Sequence, residues 1–331
     1  MKSARERIAV AATGHRPDKI PVSLWRHFPA EDQDPERLAD AEIDFYRMYQ
    51  PDWIKLNPSG WYWVEDRGVV LRRYKDPHRV PSVEGRAIES AADWEKITPV
   101  DFESPQFSAR RQTISRIQNE LKGQVPLFET LFSPLTILYK LCGSRLSEDL
   151  NNDALRPTLE GLIRRTSEEV MSYVDRLHNL GVEGAFYAIQ SVGSQVLTRQ
   201  QYADFGKESD TLVLNHIGDK SMWRIVHLHG EDVFFTDAST LPTDFVGWHM
   251  RSTPPSLREG RKQLNVAIAG GIARETVLKG SDEDVRSQAL DTADATQGAG
   301  IMITPDCTIS PETPDNRWQL LRMAMDEAAT L

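Results

Sequence analysis

The sequence predicts a single α/β domain of the (β/α)8 TIM-barrel class. Eight short apolar segments are bounded by turn residues, and most are followed by a stretch with the apolar spacing of a helix. The length of 331 residues exceeds the usual domain size but fits one barrel of ordinary dimensions. A doubly wound open sheet is the alternative, but nothing in the chain resembles the glycine-rich dinucleotide loop of that fold. We therefore predict one barrel domain over residues 1–331.

The first half of the chain predicts an N-terminal helix, three strands and a hairpin insertion. Gly14 ends the first helix, and a proline-containing stretch leads from it into the first strand. The apolar residues at 61–64 and 69–71 predict a hairpin inserted after the second strand. The other predicted elements are helices over 4–12, 35–49, 90–96 and about 105–121, and strands over 22–25, 52–56 and 125–130.

The second half of the chain alternates strands and helices at regular spacing, as expected for a parallel sheet. Pro134 opens a helix after the third strand, where a missing N–H costs no hydrogen bond. The predicted strands are 184–190, 225–230, 245–249, 266–271 and 301–307. The predicted helices are about 165–180, 199–217, 231–239, 256–264, 282–297 and 315–329.

Two histidines end the fifth predicted strand. Side chains alternate along a strand, so His227 and His229 point to one face while Val226 and Leu228 point to the other. Gly230 follows where the backbone must turn. Two imidazoles therefore converge on one place. The alternative interpretation is a pair of hydrogen-bonded histidines on a half-buried strand.

A cysteine ends the eighth predicted strand, which faces the fifth across an eight-membered barrel. The C-terminal strand ends carry the chemistry in this fold, and His227, His229 and Cys307 all fall there. Two nitrogens and one sulfur are zinc ligands that leave an open position for water or substrate. We therefore predict a metal site, with zinc as the expected ion. The alternative is a pair of hydrogen-bonded histidines beside a buried thiol.

A zinc ion held by these three ligands would carry a net positive charge. It would bind a substrate thiol as the thiolate, lower the thiol pKa and so prepare a nucleophile for alkyl transfer. The same ion could instead activate water for hydrolysis, which requires a general base. Glu129, Asp232 and Asp306 are the candidate bases at the loop ends, and the sequence does not single one out.

Other residues at strand ends are candidate substrate contacts. Arg26 could anchor a carboxylate or phosphate, or pair with an acidic neighbour, and His27 should point away from it because neighbours on a strand alternate. Gln190 and Ser194 could bind substrate, although capping of the next helix is the favoured interpretation. His249 is expected to pack in the core or at an interface.

Composition limits the partners and the compartment. The formal charge of -10 and the absence of a Lys/Arg run argue against nucleic acid or an anionic membrane as the main partner. Two cysteines cannot form a disulfide framework, so a reducing compartment is expected. The charged N-terminus has no signal-peptide core, and no stretch is long enough to span a membrane. We therefore expect a cytoplasmic protein.

Six stretches of the chain match a known family's pattern in the family's order. They are 14–22, 133–136, 197–202, 227–230, 270–272 with 280–285, and 307–316. On these residues the chain resembles the uroporphyrinogen decarboxylase superfamily over nearly its whole length. That superfamily consists of (β/α)8 enzymes and includes the decarboxylase and zinc-dependent methyltransferases that act on corrinoid and thiol substrates.

The resemblance implies roles for further residues, and the chain departs from the decarboxylase pattern at most of them. Arg26 matches the first of two decarboxylase arginines, and nothing matches the second. The family's aspartate after the second strand falls on Asn57, and its pocket tyrosine falls on or beside Lys140, one residue from Tyr139. Its late histidine falls on Cys307. A tetrapyrrole with many carboxylates would lose much of its recognition.

The methyltransferase branch fits better but not completely. That branch carries a His-x-Cys pair and a later cysteine as zinc ligands. His227 and Cys307 match this pattern, whereas His229 replaces the middle cysteine. An imidazole in place of a thiolate makes the metal more electrophilic. A bound substrate thiolate would then be held more tightly and would attack less readily.

We therefore expect a zinc-dependent transferase of methyl or other alkyl groups that acts on a small molecule. A corrinoid protein is the candidate methyl donor and a homodimer the candidate assembly. The alternatives are a metal-free decarboxylase of a carboxylated ring compound and a non-catalytic protein that binds a corrinoid or tetrapyrrole. Besides the metal ligands, the candidate catalytic residues are Arg26, Asn57 and Glu129, and the candidate substrate contacts are Arg26, Tyr139, Lys140, Gln190 and Ser194.

Overall fold

A curled parallel sheet forms the wall of a barrel in the computed structural model, which describes residues 2–331. The strands of this sheet are β1 (Ile54–Leu56), β4 (Leu127–Phe132), β5 (Gly184–Ile189), β6 (Trp223–Leu228), β7 (Phe245–Trp248), β8 (Ala267–Ile272) and β9 (Ile301–Pro305). They follow one another around the sheet in chain order, and every neighbouring pair is parallel. Parallel strands need crossover connections, which the helices between them supply.

The segment before β1 closes the barrel between the two edge strands. Ser23 N donates to the Ile303 carbonyl of β9 (3.2 Å), and Asp52 N, just before β1, donates to the Val22 carbonyl (2.8 Å). Val22 forms an isolated bridge with Ile303 rather than part of a regular ladder, and the contact with Asp52 is a hydrogen bond. The predicted first strand over 22–25 thus takes the eighth place in the barrel wall without becoming a regular strand. The predicted barrel class is confirmed.

Helices cover the outside of the barrel, each burying one face against the sheet or a neighbouring helix. The helices are α1 (Ala4–Ala12), α2 (Pro35–Tyr49), α3 (Pro105–Leu121), α4 (Pro134–Cys142), α5 (Arg145–Leu150), α6 (Arg156–Asn179), α7 (Arg199–Gln201), α8 (Lys207–Asp219), α9 (Phe235–Ala238), α10 (Leu257–Gln263), α11 (Arg274–Lys279), α12 (Asp282–Thr296) and α13 (Asp315–Ala329). None of the helices within residues 2–331 combines the length and apolar character that crossing a membrane requires.

The helix predicted over 231–239 is reduced to α9 (Phe235–Ala238), and the one predicted over 90–96 is a 3-10 helix, Ala91–Lys96. Two further predicted helices differ from the observed ones. The helix predicted over 165–180 begins at Arg156, because the apolar stripe of α6 continues through Leu159 and Leu162. The helix predicted over 199–217 is divided into α7, a π-helical segment at 202–206 and α8. None of these differences moves a strand, so the site at the strand ends is unaffected.

The insertion after β1 contains a hairpin, but not the predicted one. Its strands are β2 (Val70–Arg72) and β3 (Ser82–Gly85), which pair antiparallel. The aromatic run predicted as the first strand instead forms turns and packs inward, with Tyr62 and Trp63 almost fully buried. Tyr62 Oη donates to the Thr130 carbonyl of β4 (2.7 Å). These aromatic side chains therefore attach the insertion to the barrel wall.

Candidate metal centre

A cavity of about 350 Å³ opens at the C-terminal end of the barrel. Its wall includes Thr130 and Phe132 from β4, Phe186 and Ala188 from β5, and His227 from β6. Cys307, just after β9, lines the same cavity. The strand ends of a (β/α)8 barrel hold the reacting groups of its enzymes. The side chains that reach this cavity are therefore the candidates for function.

His227, His249 and Cys307 come together beside the cavity. His227 lies on β6, His249 directly follows β7, and Cys307 follows β9. One ligand atom from each residue lies within 4.8 Å of the other two. All three residues are buried, with exposed fractions of 4%, 6% and 7%. This spacing and donor set match those of a metal site with two imidazoles and one thiolate.

A glycine allows the strands to approach closely here. His227 pairs with Gly247 in the parallel register of β6 and β7, two residues before His249. A Cβ at Gly247 would lie 2.5 Å from the Ala269 carbonyl oxygen and 3.9 Å from His227 Nδ1. A side chain at this position would push β7 away from β8. The glycine thus helps to bring the two histidines together.

One ring nitrogen of each of these two histidines lacks a hydrogen-bond partner among residues 2–331. Nε2 of His227 and Nε2 of His249 are both buried, and neither bonds to any atom of residues 2–331. Leaving a buried polar atom unpaired costs about 1–3 kcal/mol, so such atoms are uncommon in folded proteins. A metal ion would satisfy both nitrogens. The residues present therefore fit a metal.

The electrostatics of the site favour the ligand form of each side chain. Burial, reinforced by the neighbouring histidines, holds the pKa of His227 well below its ordinary value. Burial and nearby cationic side chains lower the pKa of His229 to about 4. For Cys307, burial acts to raise the pKa of the thiol, but contact with His249 and the charge of Arg274 outweigh it and lower the pKa. Neutral imidazoles and a readily ionised thiol are the forms that bind metals.

The structure changes the predicted group of three. His227 and Cys307 come together as predicted, but His249 joins them in place of His229. His249, expected to pack in the core or at an interface, is buried and lies beside these two residues. His229 lines the cavity with its ring centroid 5.8 Å from that of His227 and 5.2 Å from that of His249. It lies beyond the end of β6, just before Gly230 turns the chain at a φ of +119°.

The predicted orientations of Arg26 and His27 are reversed. His27 lines the cavity, whereas Arg26 faces a small gap beside Phe28 and α2. Arg26 Nε donates to the His27 carbonyl (3.2 Å), and the guanidinium lies 5.5 Å from the Phe28 ring centroid. The two side chains do face opposite sides, as alternation predicts, but the sequence does not show which of them faces the cavity. The prediction of Arg26 as an anion contact in the cavity was therefore wrong.

Glu129 faces away from the cavity, so its prediction as a general base was wrong. Thr130 and Phe132 of β4 line the cavity, and alternation sends the Glu129 side chain to the outside of the barrel wall. There it forms two hydrogen bonds with the Arg110 guanidinium, one from Nε at 2.8 Å and one from Nη2. Both side chains are buried. Glu129 is therefore part of a structural ion pair.

Asn57 holds a lysine rather than touching the cavity itself. Its Oδ1 accepts a hydrogen bond from Lys55 Nζ (2.7 Å), and its Nδ2 donates to the Lys55 carbonyl (2.6 Å). The Asn57 backbone N–H donates to Glu42 Oε1 (2.8 Å). Lys55 lines the cavity. Asn57, predicted as catalytic, is thus placed as a positioning residue for Lys55.

Tyr139 and Lys140 lie behind the cavity wall rather than in it. The Lys140 side chain is buried on α4, with Nζ 4.4 Å from the ring centroid of Phe132 and 4.5 Å from that of Trp61. Phe132 lines the cavity, so one side chain separates Lys140 from it. Tyr139 is half-buried on the same helix and is not a cavity residue. Neither Tyr139 nor Lys140 is therefore placed to contact a substrate in the cavity directly.

Gln190 and Ser194 differ in their relation to the cavity. Gln190 lines it, and its backbone N–H donates to Thr136 Oγ1 (2.8 Å). Ser194 is exposed outside the cavity and donates from Oγ to Asp232 Oδ2 (2.5 Å), so its prediction as a substrate contact was wrong. Asp306 accepts a hydrogen bond from a backbone N–H. Asp232 and Asp306, the two remaining candidate general bases, therefore already accept hydrogen bonds.

The sequence analysis missed Lys55 and His249, and it gave no role to Arg274. A lysine in an apolar strand that is buried on both faces was a usable signal, since such a charge is costly without a purpose. His249 stands directly after a strand, as His229 does, but it belongs to no motif. Arg274 begins a short helix, and no feature of the sequence marks it.

The family model described as Uroporphyrinogen decarboxylase (URO-D) matches residues 3–328. A search of curated protein sequences finds no match. The matched range includes His227, His229, His249 and Cys307.

Solved structures share the fold across the whole chain. A methyltransferase from Methanosarcina mazei is similar with a TM-score of 0.83 and 17% identity, covering 99% of both chains. A B12-independent methionine synthase from Shewanella sp. W3-18-1, in complex with selenomethionine, has a TM-score of 0.58 and 13% identity, covering 97% of this chain and 95% of that one. A putative methionine synthase of the same kind from Listeria monocytogenes has a TM-score of 0.58 and 11% identity, covering 94% and 96%. At these identities the likeness establishes the fold.

Proposed function

Because the chain belongs to the uroporphyrinogen decarboxylase family, we propose that it is a zinc-dependent transferase of methyl or other alkyl groups. The acceptor is a thiol or a related nucleophile. The observation that carries this proposal is the convergence of His227, His249 and Cys307, with two buried ring nitrogens that have no partner among residues 2–331. The similarity in fold to a methyltransferase and to methionine synthases supports the same reaction class.

The proposed ligands are His227, His249 and Cys307, and each is supplied by a rigid strand end. Zinc bound there would hold a substrate thiol as its thiolate near neutral pH. His229 lines the cavity beside these residues and would contact the substrate. Phe132 and Phe186 form apolar walls that limit access of water to the reacting sulfur.

Two wider expectations remain part of the proposal. The methyl donor is a corrinoid carried by a partner protein, and a homodimer is the proposed assembly. A free thiolate ligand at Cys307 requires a reducing environment, in keeping with the expected cytoplasmic location.

Elemental analysis of the purified protein tests the proposal. We expect about one zinc per chain in the wild type and a large loss in Cys307→Ser, because the hydroxyl is a poor zinc ligand. His249→Ala should also lose the metal, and His229→Ala should keep it. Near-zero zinc in the wild type and in Cys307→Ser alike would contradict the proposal and favour a metal-free decarboxylase. Loss of zinc in His229→Ala but not in His249→Ala would instead support the ligands predicted from the sequence, which include His229.

A further inference from the structure

A second cavity, of about 330 Å³, lies between the insertion after β1, the connection over 98–104 and the start of α3. It shares no lining residue with the cavity at the barrel mouth. Tyr62, Trp63 and Phe107 form aromatic walls around it. This cavity is therefore separate from the candidate metal centre.

Arg67 lines the second cavity with a buried guanidinium. It belongs to the 3-10 turn Glu65–Arg67, and its side chain is only 4% exposed. None of its three nitrogens makes a hydrogen bond to residues 2–331. The carboxylate that pairs with it, Glu169 of α6, lies 3.7 Å from Nη1, and its Oε2 also has no hydrogen-bond partner in this range. The two side chains thus attract each other without satisfying each other's hydrogen bonds.

Two further donors line the same cavity. Trp63 Nε1 and Ser104 Oγ are buried and have no hydrogen-bond partner among residues 2–331. Ser104 is the N-cap of α3, but its hydroxyl caps no backbone N–H. Because Ser104 and Phe107 line the cavity, the positive end of this helix of 17 residues faces it. The indole and guanidinium N–H groups can only donate, so the cavity is suited to a ligand rich in acceptors.

The charges around the second cavity favour an anion of single charge. Glu169 is shared between two guanidinium groups, since Arg165 Nε lies 3.6 Å from its Oε1. One carboxylate between two arginines leaves one positive charge in excess. Asp66 and Asp101 also line the cavity, but both are exposed and so are screened by water. Their charges disfavour a dianion more than a monoanion.

We propose that the second cavity binds the carboxylate of a small organic acid, with Arg67 as the main contact and Trp63 and Ser104 as further donors. A carboxylate matches the planar fork of a guanidinium and forms charge-assisted hydrogen bonds with it. Rotation of the guanidinium brings its N–H groups fully into the cavity without breaking a hydrogen bond to residues 2–331. The volume and the aromatic walls suit an organic ligand.

The indole N–H signal of Trp63 in isotope-labelled protein tests this site. Trp63 is one of eight tryptophans, so its signal is assigned by its loss in Trp63→Phe, and the others serve as internal controls. Acetate and acetamide have the same shape and differ in charge. Titration of each at constant ionic strength therefore isolates the effect of the carboxylate. We expect acetate to shift the Trp63 signal with half-saturation at about 1–10 mM, and acetamide to bind at least about tenfold more weakly.

Variants of the lining donors and of a surface arginine give the controls. Arg67→Met should weaken the binding of acetate at least about tenfold. Arg72→Met should match the wild type, because the Arg72 side chain is 63% exposed outside the cavity. Ser104→Ala removes a hydroxyl that caps no backbone N–H, so the fold should be retained while acetate affinity falls by about twofold to tenfold.

Two further titrations test the charge of the ligand and the independence of the site. Inorganic phosphate at about pH 8 is mainly a dianion and should bind more weakly than acetate. Chelator-treated protein should bind acetate as the untreated protein does, because the second cavity contains none of the proposed metal ligands.

The proposal would be overturned by a Trp63 signal that does not respond to acetate or that responds equally to acetamide. A response unchanged in Arg67→Met, or one that needs zinc, would also overturn it. Tighter binding of phosphate than of acetate would overturn the assignment to a carboxylate. If Arg67→Met does not fold, an unchanged acetate affinity in Ser104→Ala would count against the site.

Discussion

Two groups of buried polar side chains lie on opposite sides of the same barrel wall and differ in one respect. Outside the wall, Arg110 of α3 donates two hydrogen bonds to the Glu129 carboxylate of β4, and only Nη1 of its guanidinium has no partner among residues 2–331. Inside it, His227 and His249 leave ring nitrogens unpaired, and Lys55 has no carboxylate partner within residues 2–331. Burial is nearly complete in both groups. Between these two groups, the presence of a partner of opposite charge, rather than burial, distinguishes the pair that supports the fold from the candidate ligand-binding side chains.

The largest expected effect comes from breaking the outer pair. Glu129→Ala leaves the Arg110 guanidinium buried without its counter-charge, so we expect the free energy of unfolding to fall by about 3–5 kcal/mol. Urea denaturation measures this change. The double variant Arg110→Met/Glu129→Leu should recover most of the loss. A Glu129→Ala variant that unfolds like the wild type but loses zinc would place Glu129 in the functional site and break the comparison.

A substitution in the inner group should lower zinc affinity and leave the stability of the metal-free protein nearly unchanged. His249→Phe keeps a ring in place and removes an unpaired nitrogen, so the metal-free protein should unfold within about 1 kcal/mol of the wild type. Its zinc affinity should fall by more than about 100-fold, because a ligand matters more than the outer contacts that orient ligands. Competition with a chromophoric chelator measures the affinity. A strongly destabilised metal-free variant with unchanged zinc affinity would make His249 a structural residue.

The unpaired lysines predict a pH dependence of stability with a definite sign. Burial, with repulsion from Arg86, lowers the pKa of Lys140 from 10.5 to about 7 in the folded chain. Between these values the unfolded chain binds more protons, so stability rises with pH. Relative to Lys140→Met, the wild type should gain about 2 kcal/mol between about pH 7.5 and about pH 9. Denaturant titrations of both proteins at the two pH values measure this difference, and a constant difference would show that Lys140 is paired.

The smallest effect is expected at a solvated ion pair on the helix that carries Arg110. Arg116 of α3 bonds to Asp40 (2.5 Å) and Glu36 (2.7 Å), and its side chain is 42% exposed. Water screens such contacts, so Arg116→Ala should unfold at nearly the same urea concentration as the wild type. Urea denaturation beside Glu129→Ala gives a direct comparison. Equal losses of stability in the two variants would show that burial does not determine how much an ion pair contributes to the fold.

The barrel could be predicted from the sequence because each strand is a short apolar run between turn residues. His227 and Cys307 could be predicted for a related reason, since Gly230 and Pro305 mark the strand ends on which they stand. The C-terminal strand ends meet at one mouth in this fold. Sequence periodicity was therefore enough to bring these two residues together.

The remaining site residues depend on details that periodicity does not contain. His249 reaches His227 only because β6 and β7 are adjacent in register, with Gly247 allowing the close approach. Glu129 was misplaced because β4 is buried on both faces, so alternation does not reveal which face meets the cavity. Arg26 was misplaced for a similar reason, because alternation sends Arg26 and His27 to opposite sides without showing which one faces the cavity. Side-chain direction in these three cases is set by the closed barrel rather than by local sequence.

X-ray absorption at the zinc edge of the purified or zinc-reconstituted protein tests the central claim most directly. The account predicts one sulfur scatterer at about 2.3 Å and at least two nitrogen scatterers at about 2.0–2.1 Å, from Cys307, His227 and His249. In His249→Ala the nitrogen contribution should decrease or the zinc should be lost. A zinc spectrum without a sulfur scatterer, or a chain that retains no zinc after reconstitution, would contradict it.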